Sequence, residues 1–422
     1  MIRARHQPDE QPDTLPSAAE YISPAPRVSV QVFCETETTA AAARGAAEDR
    51  RLAKAHLSVH MGGVAAAIET YDTAPTPNVI ILESDGRGEI LKGLDRLAHV
   101  CDAGTRVVVI GSPTEVAPYR ELVRRHINDY VVGPVEALDV VRAICGLFSA
   151  SETVSVGRMI AVVGAKGGVG ASTIAHNVAW AIARDLALDS VVVDLDLAFG
   201  TAGLDYNQDP FQGIANAVFS PDRPDTAFMD RLLQKCTDRL SLLAAPATLD
   251  RVYDFGADAF DAIFDALRMT TPCIVLDVPH QWAGWTKRAL INADDILIVA
   301  EPDLANLRNT RNILGLLKES RPNDRAPLYC LNKMRMAKRP EIDAKGFAKT
   351  LESKPIATIA FDSHMFGRAA NNGQMIAEIA ASHRTSKTFV EIAQLLTGHG
   401  EIKKPRRSLL APIIKRLRAT SR

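Results

Sequence analysis

Short apolar runs alternate with helical patterns along the first part of the chain. Helices are predicted over Ala40–Ala55, Ile90–Val100 and Glu136–Phe148, where apolar residues recur on one helical face. The apolar runs between them predict strands at Val28–Phe33, Asn78–Leu82, Arg106–Ile110 and Asp129–Val132. This alternation predicts an α/β domain with a doubly wound parallel sheet.

The same alternation begins again at Met159 and continues almost to the end of the chain. Helices are predicted at Ser172–Leu186, Leu304–Lys318 and Ser386–Leu396. Runs rich in Val, Ile and Leu, typical of buried parallel strands, are Met159–Val163, Ser190–Asp194, Leu240–Ala244, Cys273–Asp277, Ile296–Ala300, Leu328–Asn332 and Ile356–Phe361. The predicted fold class is therefore α/β with two doubly wound parallel sheets.

Changes in composition divide the chain into five parts. A polar leader with five prolines is expected to be disordered, and a short polar linker joins the two α/β domains. The last part is basic, because eight Lys or Arg residues face one acid, which gives it a charge of +7. The predicted boundaries are 1–26 for the leader, 27–150 and 158–400 for the domains, 151–157 for the linker and 401–422 for the tail.

Composition restricts the class of protein. The chain has 422 residues, is 47% hydrophobic and carries a net charge of −1, which excludes a globally basic DNA-coating protein. Its six cysteines form no Cys-x-x-Cys pair, so we expect reduced core residues rather than disulfides or a zinc site. No apolar run reaches the length of a membrane span, and the N-terminus lacks a signal-peptide segment. We therefore expect a cytoplasmic protein.

The glycine-rich segment from Ala165 to Thr173 carries the strongest chemical signal. It reads Ala-Lys-Gly-Gly-Val-Gly-Ala-Ser-Thr and lies between a predicted strand and a predicted helix, the context of a phosphate-binding loop. Its glycines allow the backbone to wrap an anion at the N-terminus of the following helix. The expected nucleotide-binding residues of the loop are Gly167, Gly168, Val169, Gly170, Ala171, Ser172 and Thr173.

The loop departs from the usual pattern at its lysine. Ala171 stands where that lysine is expected, and Lys166 near the start is the loop's own lysine. A lysine–phosphate contact contributes roughly 1.5–3 kcal/mol, so its loss weakens binding by roughly 10- to 100-fold. One reading is therefore a protein whose glycine loop is only a tight turn and which binds no nucleotide.

Carboxylates end two of the predicted strands. Asp194 and Asp196 end one strand region, and Asp277 ends another. Ligands of open α/β sheets bind at the carboxyl ends of strands. Beside a phosphate loop, such carboxylates can hold Mg²⁺ and orient an attacking water.

These segments resemble the MinD/ParA-type ATPases with a deviant phosphate loop. The motifs that carry the resemblance are Lys166-Gly-Gly-Val-Gly-Ala-Ser-Thr, Asp194-Leu-Asp196, Asp277-Val-Pro279, Glu301-Pro302 and Leu331-Asn-Lys333.

The resemblance implies ATP and Mg²⁺ as cofactors and assigns roles to individual residues. Lys166 would reach the phosphates of a partner subunit in a homodimer, and Asp196 would position the hydrolytic water. Ser172 and Asp277 would hold Mg²⁺, and Asp194 would lie beside the nucleotide. Asn332 would contact adenine. With Ala171 in place of lysine, we expect weak binding by the monomer and slow hydrolysis.

The first domain is similar to a response-regulator receiver in the order and size of its elements. It lacks the acidic pair of a working receiver, since Cys34-Glu-Thr follows the first strand. Glu83 stands near the position of the phosphorylated aspartate, Ser112 matches the hydroxyl position, and Gly133 precedes Pro134 where a lysine is needed. We interpret it as a degenerate receiver used for binding partners; an unrelated flavodoxin-like domain is the alternative.

The domain order and the Ala171 variant together resemble the TadZ/CpaE family of pilus-assembly proteins. That resemblance implies a role in assembling a Flp-type (tight-adherence) pilus and its secretion machine at a cell pole. Two other functions remain open: a ParA-type DNA-partitioning ATPase and a scaffold that binds no nucleotide.

Two further features have alternative interpretations. Trp282 and Trp285 follow Asp277 and are either a nucleotide-sensitive partner surface or part of the core. The tail 401–422 could form a short amphipathic basic helix from Pro412 that contacts an anionic membrane, could contact DNA, or could simply be solvated.

Overall fold

The computed structural model describes nine segments of the chain. These are 21–84, 90–102, 104–111, 127–149, 156–209, 212–220, 224–246, 248–249 and 251–398. The basic tail 401–422, Ser112 and most of the predicted leader and linker lie outside them.

The first α/β unit contains a five-stranded parallel sheet of order β2-β1-β3-β4-β5. This is the strand order of flavodoxin-like doubly wound folds, as the sequence predicts. The strands are β1 (Ser29–Cys34), β2 (His56–Met61), β3 (Val79–Glu83), β4 (Arg106–Gly111) and β5 (Asp129–Val132). The described helices are α1 (Glu37–Ala47), α2 (Gly63–Tyr71), α3 (Ile90–Val100) and α4 (Ala137–Ser149).

The first helix ends earlier than the predicted Ala40–Ala55. Helix α1 stops at Ala47, and a single 3₁₀ turn follows at Arg50–Leu52. The Asp49 carboxylate accepts a hydrogen bond from the Arg51 N–H at 3.0 Å and so starts this separate turn. Aspartate competes with helical backbone hydrogen bonds in this way, and the alanine-rich pattern alone did not reveal it.

The larger unit contains an eight-stranded sheet of order β13-β12-β11-β6-β10-β7-β9-β8, parallel except for β8 at one edge. Its central strands are β6 (Arg158–Gly164), β7 (Ser190–Asp194), β10 (Cys273–Val278) and β11 (Asp295–Ala300). The outer strands are β8 (Gln234–Lys235), β9 (Leu240–Leu243), β12 (Leu328–Met334) and β13 (Ala357–Ala360).

Helices cover both faces of the larger sheet. Helix α5 (Ala171–Asp185) follows β6 directly, α6 (Ala202–Asp205) follows β7, and α11 (Leu304–Ser320) follows β11. The other described helices are α7 (Ile214–Val218), α8 (Thr226–Leu232), α9 (Asp261–Thr270), α10 (Gly284–Asn292), α12 (Ala344–Leu351), α13 (Ser363–Asn372), α14 (Ile376–Ile379) and α15 (Arg384–Thr397).

Two hydrophobic cores lie on opposite faces of this sheet. In β6, Met159, Ala161 and Val163 belong to one core, and Ile160 and Val162 belong to the other. Successive side chains of a strand point to opposite faces, so the continuous apolar runs of the sequence reflect burial on both sides. These cores fix β6 and therefore the loop at its carboxyl end.

Buried ion pairs join the two units. Arg50 of the first unit pairs with Asp294 at 3.0 Å and with Asp324 at 2.7 Å in the larger one, and all three side chains are nearly buried. Arg51 pairs with Asp324 at 3.1 Å. Arg268 completes the cluster by binding Asp294 at 2.8 Å. Buried charges need such partners, so this cluster holds the units in one arrangement.

Residues 21–26, at the end of the predicted leader, pack at the same junction. The Tyr21 hydroxyl donates to the Val156 carbonyl at 3.2 Å, and the Ala25 N–H donates to the Arg51 carbonyl at 2.9 Å. Ala25 is buried. This end of the leader is therefore ordered where it contacts the junction.

Candidate nucleotide site

The glycine-rich loop connects β6 to helix α5 in the conformation of an anion-binding turn. Gly168 and Gly170 have φ angles of +79° and +85°, which favour glycine because residues with a Cβ are strained there. Gly170 is the N-cap of α5, and no side chain caps the helix start. The free N–H groups and the helix dipole therefore face the space where a phosphate would bind.

Side chains from the neighbouring elements bind the carbonyl oxygens of this loop. Asn332 and Asn309 donate amide hydrogens to the carbonyls of Val169 and Ala165, each at 2.8 Å. Lys333 donates to the Gly168 carbonyl at 2.5 Å, and His280 Nδ1 lies 3.0 Å from the Gly164 carbonyl.

These contacts engage three carbonyls of the loop and the Gly164 carbonyl at the end of β6, and none of them uses an N–H group of the loop. Buried carbonyls need partners, and here the partners come from the segment after β10, from helix α11 and from strand β12 itself. Asn332 was predicted from the sequence as a site residue, whereas His280, Asn309 and Lys333 were not recognised as loop-binding residues. Lys333 was visible in the Leu331-Asn-Lys motif, whereas Asn309 gave no signal before the fold was known.

The loop carries a lysine near its beginning and an alanine near its end, where the usual lysine is expected. Ala171 is the first residue of α5 and is half-buried, and Lys166 is exposed near the loop's beginning. Lys333, the other lysine in contact with the loop, is committed to the Gly168 carbonyl and to Glu301 at 2.9 Å. Of the two lysines at the loop, Lys166 is therefore the exposed one, whereas Lys333 is held by its two contacts.

Two carboxylates lie side by side at the carboxyl ends of β7 and β10. Asp194 and Asp277 are aligned in the parallel register, and both are buried. Asp194 accepts the N–H groups of Asp196 and Ala202, each at 3.1 Å. Burial and the neighbouring Asp277 charge raise the pKa of Asp194 to about 7. The two carboxyl groups therefore resist ionising together, and a cation bound beside them would favour the ionised pair.

A fully buried histidine contacts this acidic pair. His176 Nδ1 lies 2.7 Å from Asp205 Oδ2, and Nε2 lies 3.2 Å from Asp277 Oδ2. The second contact is close but poorly aligned as a hydrogen bond. Burial alone would lower the pKa of His176, but Asp205 and Asp277 together raise it to about 10. Neither His176 nor Asp205 was predicted from the sequence as a site residue.

The remaining predicted site residues have these positions. The Asp196 carboxylate accepts the Phe199 N–H at 3.1 Å, so it caps its own turn. Ser172 and Thr173 lie in the first turn of α5, and the Thr173 carbonyl accepts a hydrogen bond from Asn177 at 2.9 Å. Asn332 is buried with its amide on the loop.

The donor chemistry fits a magnesium–nucleotide complex better than a metal bound by protein alone. In the described part of the chain, no cluster of three or more His, Cys, Asp or Glu residues is arranged to hold a metal ion. Mg²⁺ typically uses few protein oxygens together with phosphates and water. The Ser172 hydroxyl and the buried Asp194–Asp277 pair lie beside the loop and could supply such oxygens.

The two tryptophans after β10 have different environments. Trp285 is buried and packs on Phe260 with ring centroids 5.0 Å apart. Trp282 is 58% exposed. The core interpretation is therefore right for Trp285, and only Trp282 is available as a surface residue.

Other large apolar side chains are exposed at the same edge of the sheet. Phe199 follows β7 and Leu304 begins α11 after β11, and both are more than 70% exposed (73% and 72%). With Trp282 after β10, they follow the carboxyl ends of three central strands. Exposed apolar residues grouped around one site are typical of an interaction surface.

In the first unit, Glu83 is fully engaged by the start of α1. Its carboxylate accepts hydrogen bonds from the N–H groups of Glu35 at 2.7 Å and Thr36 at 2.9 Å. It also accepts from the hydroxyls of Thr36 at 2.8 Å and Thr39 at 2.7 Å. Both oxygens of the Glu83 carboxylate are therefore engaged just before the start of this helix.

Among the described residues, no helix is long and apolar enough to cross a membrane. The six cysteines are free, and four of them are buried, whereas Cys101 and Cys236 are half-buried.

Comparisons with known proteins find relatives among proteins of the MinD and ParA types. No protein-family model matches the chain. The septum site-determining protein MinD of Synechocystis sp. is 28% identical over 162 residues, which cover 38% of this chain and 59% of that relative. The chain thus spans less than two thirds of that relative's length.

Two solved structures are also similar. A ParA family ATPase from Chlorobium tepidum TLS is 25% identical, with a TM-score of 0.50 and coverage of 56% of this chain and 98% of that chain. The pilus assembly protein CpaE from Caulobacter crescentus CB15 is 42% identical, covering 30% of this chain and 98% of that chain. Its TM-score of 0.29 is too low to establish a shared fold by itself. The similarity to MinD, the ParA-like fold and the glycine loop together support the MinD/ParA-type ATPase family for this chain.

Proposed function

We propose that this protein is a localisation and assembly factor for a Flp-type pilus and its secretion machine. In this proposal, Mg-ATP binding drives dimerisation of the larger α/β unit, and hydrolysis is slow. The first unit, interpreted as a degenerate receiver, binds partners of the machine.

The geometry of the glycine loop is the main observation that supports nucleotide binding. Three of its carbonyls and that of Gly164, the residue before it, contact side chains, and the N–H groups at the start of α5 are left for an anion. A loop that served only as a turn would not need carbonyl partners from three separate segments. The buried Asp194–Asp277 pair adds the negative charge that a bound Mg²⁺ would neutralise.

Dimerisation is supported by what surrounds the loop. Lys166 is exposed at its beginning, while Ala171 supplies no charge within the same subunit. Phe199, Trp282 and Leu304 present apolar surface at the same edge. A second copy facing this edge would cover these side chains and bring its Lys166 to the first copy's phosphates.

Slow hydrolysis follows from two features of the site. Ala171 cannot stabilise the charge that develops on the transferred phosphoryl group, a role that positioned cations fill in related reactions. The Asp196 carboxylate is engaged with the Phe199 N–H and would have to leave it to orient a water. We therefore expect turnover to be limited by the chemical step.

The pilus role rests on the sequence resemblance to the TadZ/CpaE family. Its basis is the order of the two α/β units together with the Ala171 variant of the loop. A pilus assembly protein is among the similar solved structures, but the proposal does not depend on that likeness. Membrane contact by the tail 401–422 and placement at a cell pole are further parts of this proposal.

Size-exclusion chromatography with light scattering tests dimerisation. The wild type, Lys166→Ala and the control Lys349→Ala, which removes an exposed lysine on α12, are compared with and without Mg-ATP. We expect a nucleotide-dependent dimer for the wild type and the control, and a monomer for Lys166→Ala. If the measured mass is the same with and without Mg-ATP in all three proteins, the scaffold function is favoured instead.

A further inference from the structure

We propose that His280 is a positioning residue that fixes the first half of the glycine loop, so that Lys166 is held in the orientation that reaches a second copy of the chain. The inference rests on the proposed function, in which Lys166 crosses a nucleotide-dependent dimer. It adds that the dimer depends on a side chain outside the glycine-loop motif, in the turn after β10. It predicts that dimerisation, more than nucleotide binding by one copy, requires the imidazole.

The exposed tip of the loop lies between two buried residues. Ala165 and Val169 are 0% and 2% exposed, and they pack in the two cores on opposite faces of the sheet. The three residues between them, Lys166, Gly167 and Gly168, are exposed. Two of the three are glycines, which lose the most conformational freedom when they are ordered. The tip therefore depends on contacts from outside the loop.

His280 contacts the backbone on both sides of Lys166. Its Nδ1 atom lies 3.0 Å from the Gly164 carbonyl, two residues before the lysine. A carbonyl only accepts, so Nδ1 carries a proton, and both the charged ring and one neutral form meet this requirement. A methyl group on Gly167, directly after the lysine, would lie 3.8 Å from Cδ2 of the ring, so this edge of the imidazole lies alongside the backbone there. One side chain thus restrains the loop before and after Lys166.

The charge of Lys166 lies near the start of α11. Asp303 caps this helix by accepting the Asn306 N–H at 2.8 Å. Burial raises the pKa of Asp303, but the hydrogen bonds from Asn306 and the nearby charge of Lys166 lower it. Leu304, the next residue, is 72% exposed and belongs to the apolar edge that a second copy would cover. The ammonium group is therefore on the side of the loop from which that copy would approach.

The turn that carries His280 has hydrogen bonds of its own. The Gln281 N–H donates to the Pro279 carbonyl at 2.7 Å, and the buried Thr286 hydroxyl donates to the Gln281 carbonyl at 2.8 Å. The start of α10 therefore holds the exposed Trp282 without the imidazole. Replacing His280 thus releases the beginning of the loop and leaves Trp282 in place.

The size of the effect follows from the strength of one hydrogen bond. The net contribution of a typical hydrogen bond corresponds to about 3- to 10-fold in an equilibrium constant. Without this bond, the loop is ordered only when the dimer forms, which makes dimerisation less favourable. A symmetric dimer contains the contact twice, so its dissociation constant rises by the square of this factor, about 10- to 100-fold. A merely structural role would instead weaken Mg-ATP binding by each copy, whether or not a dimer forms.

The experiment uses the full chain with Mg-ATP as the probe. Light scattering at a series of protein concentrations gives the dissociation constant of the dimer for the wild type, His280→Leu and His280→Asn. Leucine has no hydrogen-bond donor, whereas asparagine keeps an N–H donor on a short side chain. The matched control is Gln281→Ala, which removes the exposed neighbouring side chain. Calorimetry in the Lys166→Ala background, which the proposed function keeps monomeric, gives the Mg-ATP affinity of one copy with and without His280→Leu, and thermal melting checks that each variant is folded.

We expect His280→Leu to raise the dissociation constant of the dimer about 10- to 100-fold. His280→Asn should dimerise more tightly than His280→Leu, because the donor to the Gly164 carbonyl is restored. Gln281→Ala should dimerise like the wild type. In the Lys166→Ala background, His280→Leu should lower the Mg-ATP affinity by less than about 3-fold.

Four outcomes would overturn the inference. If His280→Leu dimerises like the wild type, the inference fails and the proposed function stands. If His280→Leu weakens Mg-ATP binding in the Lys166→Ala background as much as it weakens the dimer, His280 has only a structural role. If His280→Asn dimerises no better than His280→Leu, the hydrogen bond is not the cause. A wild type that forms no dimer with Mg-ATP would overturn the proposed function and the inference together.

Discussion

Replacing Arg50 with alanine tests the junction between the two α/β units. Its guanidinium binds Asp294 at 3.0 Å and Asp324 at 2.7 Å, and the three side chains are only 11%, 3% and 7% exposed. Removing one partner of a buried ion pair typically costs about 3–5 kcal/mol, because it leaves a buried charge unpaired. How much of that cost applies to Arg50 depends on the other partners of the two carboxylates.

Both carboxylates keep other partners after the change. Asp294 retains Arg268 at 2.8 Å, and Asp324 retains Arg321 at 2.7 Å. We therefore expect a smaller loss, about 2–3 kcal/mol in the free energy of unfolding. In urea, this corresponds to a lower midpoint by on the order of 1 M.

Urea unfolding of Arg50→Ala, followed by circular dichroism and tryptophan fluorescence, measures this loss. All three tryptophans lie in the larger unit, at positions 180, 282 and 285, so fluorescence reports that unit alone. The control is Arg44→Ala, which removes an exposed pair with Glu37 and should leave the midpoint unchanged. If Arg50→Ala also unfolds at the wild-type midpoint, the ion-pair cluster does not hold the units together.

Further predictions concern the core, the loop and the response to pH. Trp285→Ala should lower the free energy of unfolding by about 3–5 kcal/mol because it removes a buried ring, whereas Trp282→Ala should change it by less than about 0.5 kcal/mol; chemical denaturation compares the two. Gly170→Ala should cost about 1–3 kcal/mol and weaken ATP binding, because φ is +85° at this position; equal ATP affinity by calorimetry would contradict this. Ala171→Lys should tighten ATP binding by roughly 10- to 100-fold; calorimetry that finds no gain would mean that phosphates do not lie at the start of α5. Burial raises the pKa of Asp294, but Arg268 and Arg50 outweigh it and lower the pKa from 3.8 to about 2. The ionised Asp294 therefore contributes about 2 kcal/mol to the free energy of unfolding, in full above pH 4 and progressively less between about pH 4 and pH 2. Acid unfolding of Asp294→Asn should lack this part of the pH dependence.

Much of the larger sheet could be predicted because its strands are buried on both faces. The predicted strand Ser190–Asp194 coincides with β7, and Cys273–Asp277 is one residue shorter than β10. Strand β2 (His56–Met61) was missed, since it is an edge strand whose side chains are partly exposed and form no continuous apolar run. Short helices such as α6 and α14 were missed for a similar reason, because four residues carry too little periodicity.

The candidate site was predictable where a motif is continuous in sequence. The glycine loop and the strand-ending Asp194 and Asp277 could be read directly. The partners that shape the loop and orient the acids could not, because Asn309 and His176 are brought to the site by folding. A single histidine in an apolar helix pattern does not indicate that two carboxylates contact its ring in the folded protein.

Calorimetric titration of Mg-ATP into the wild-type protein tests most directly whether the loop binds nucleotide without a lysine at position 171. We expect saturable binding with a dissociation constant in the micromolar to millimolar range, which corresponds to a binding free energy of about 4–8 kcal/mol in magnitude. Absence of binding up to millimolar Mg-ATP would contradict the nucleotide function and leave only a scaffold with the fold of its relatives.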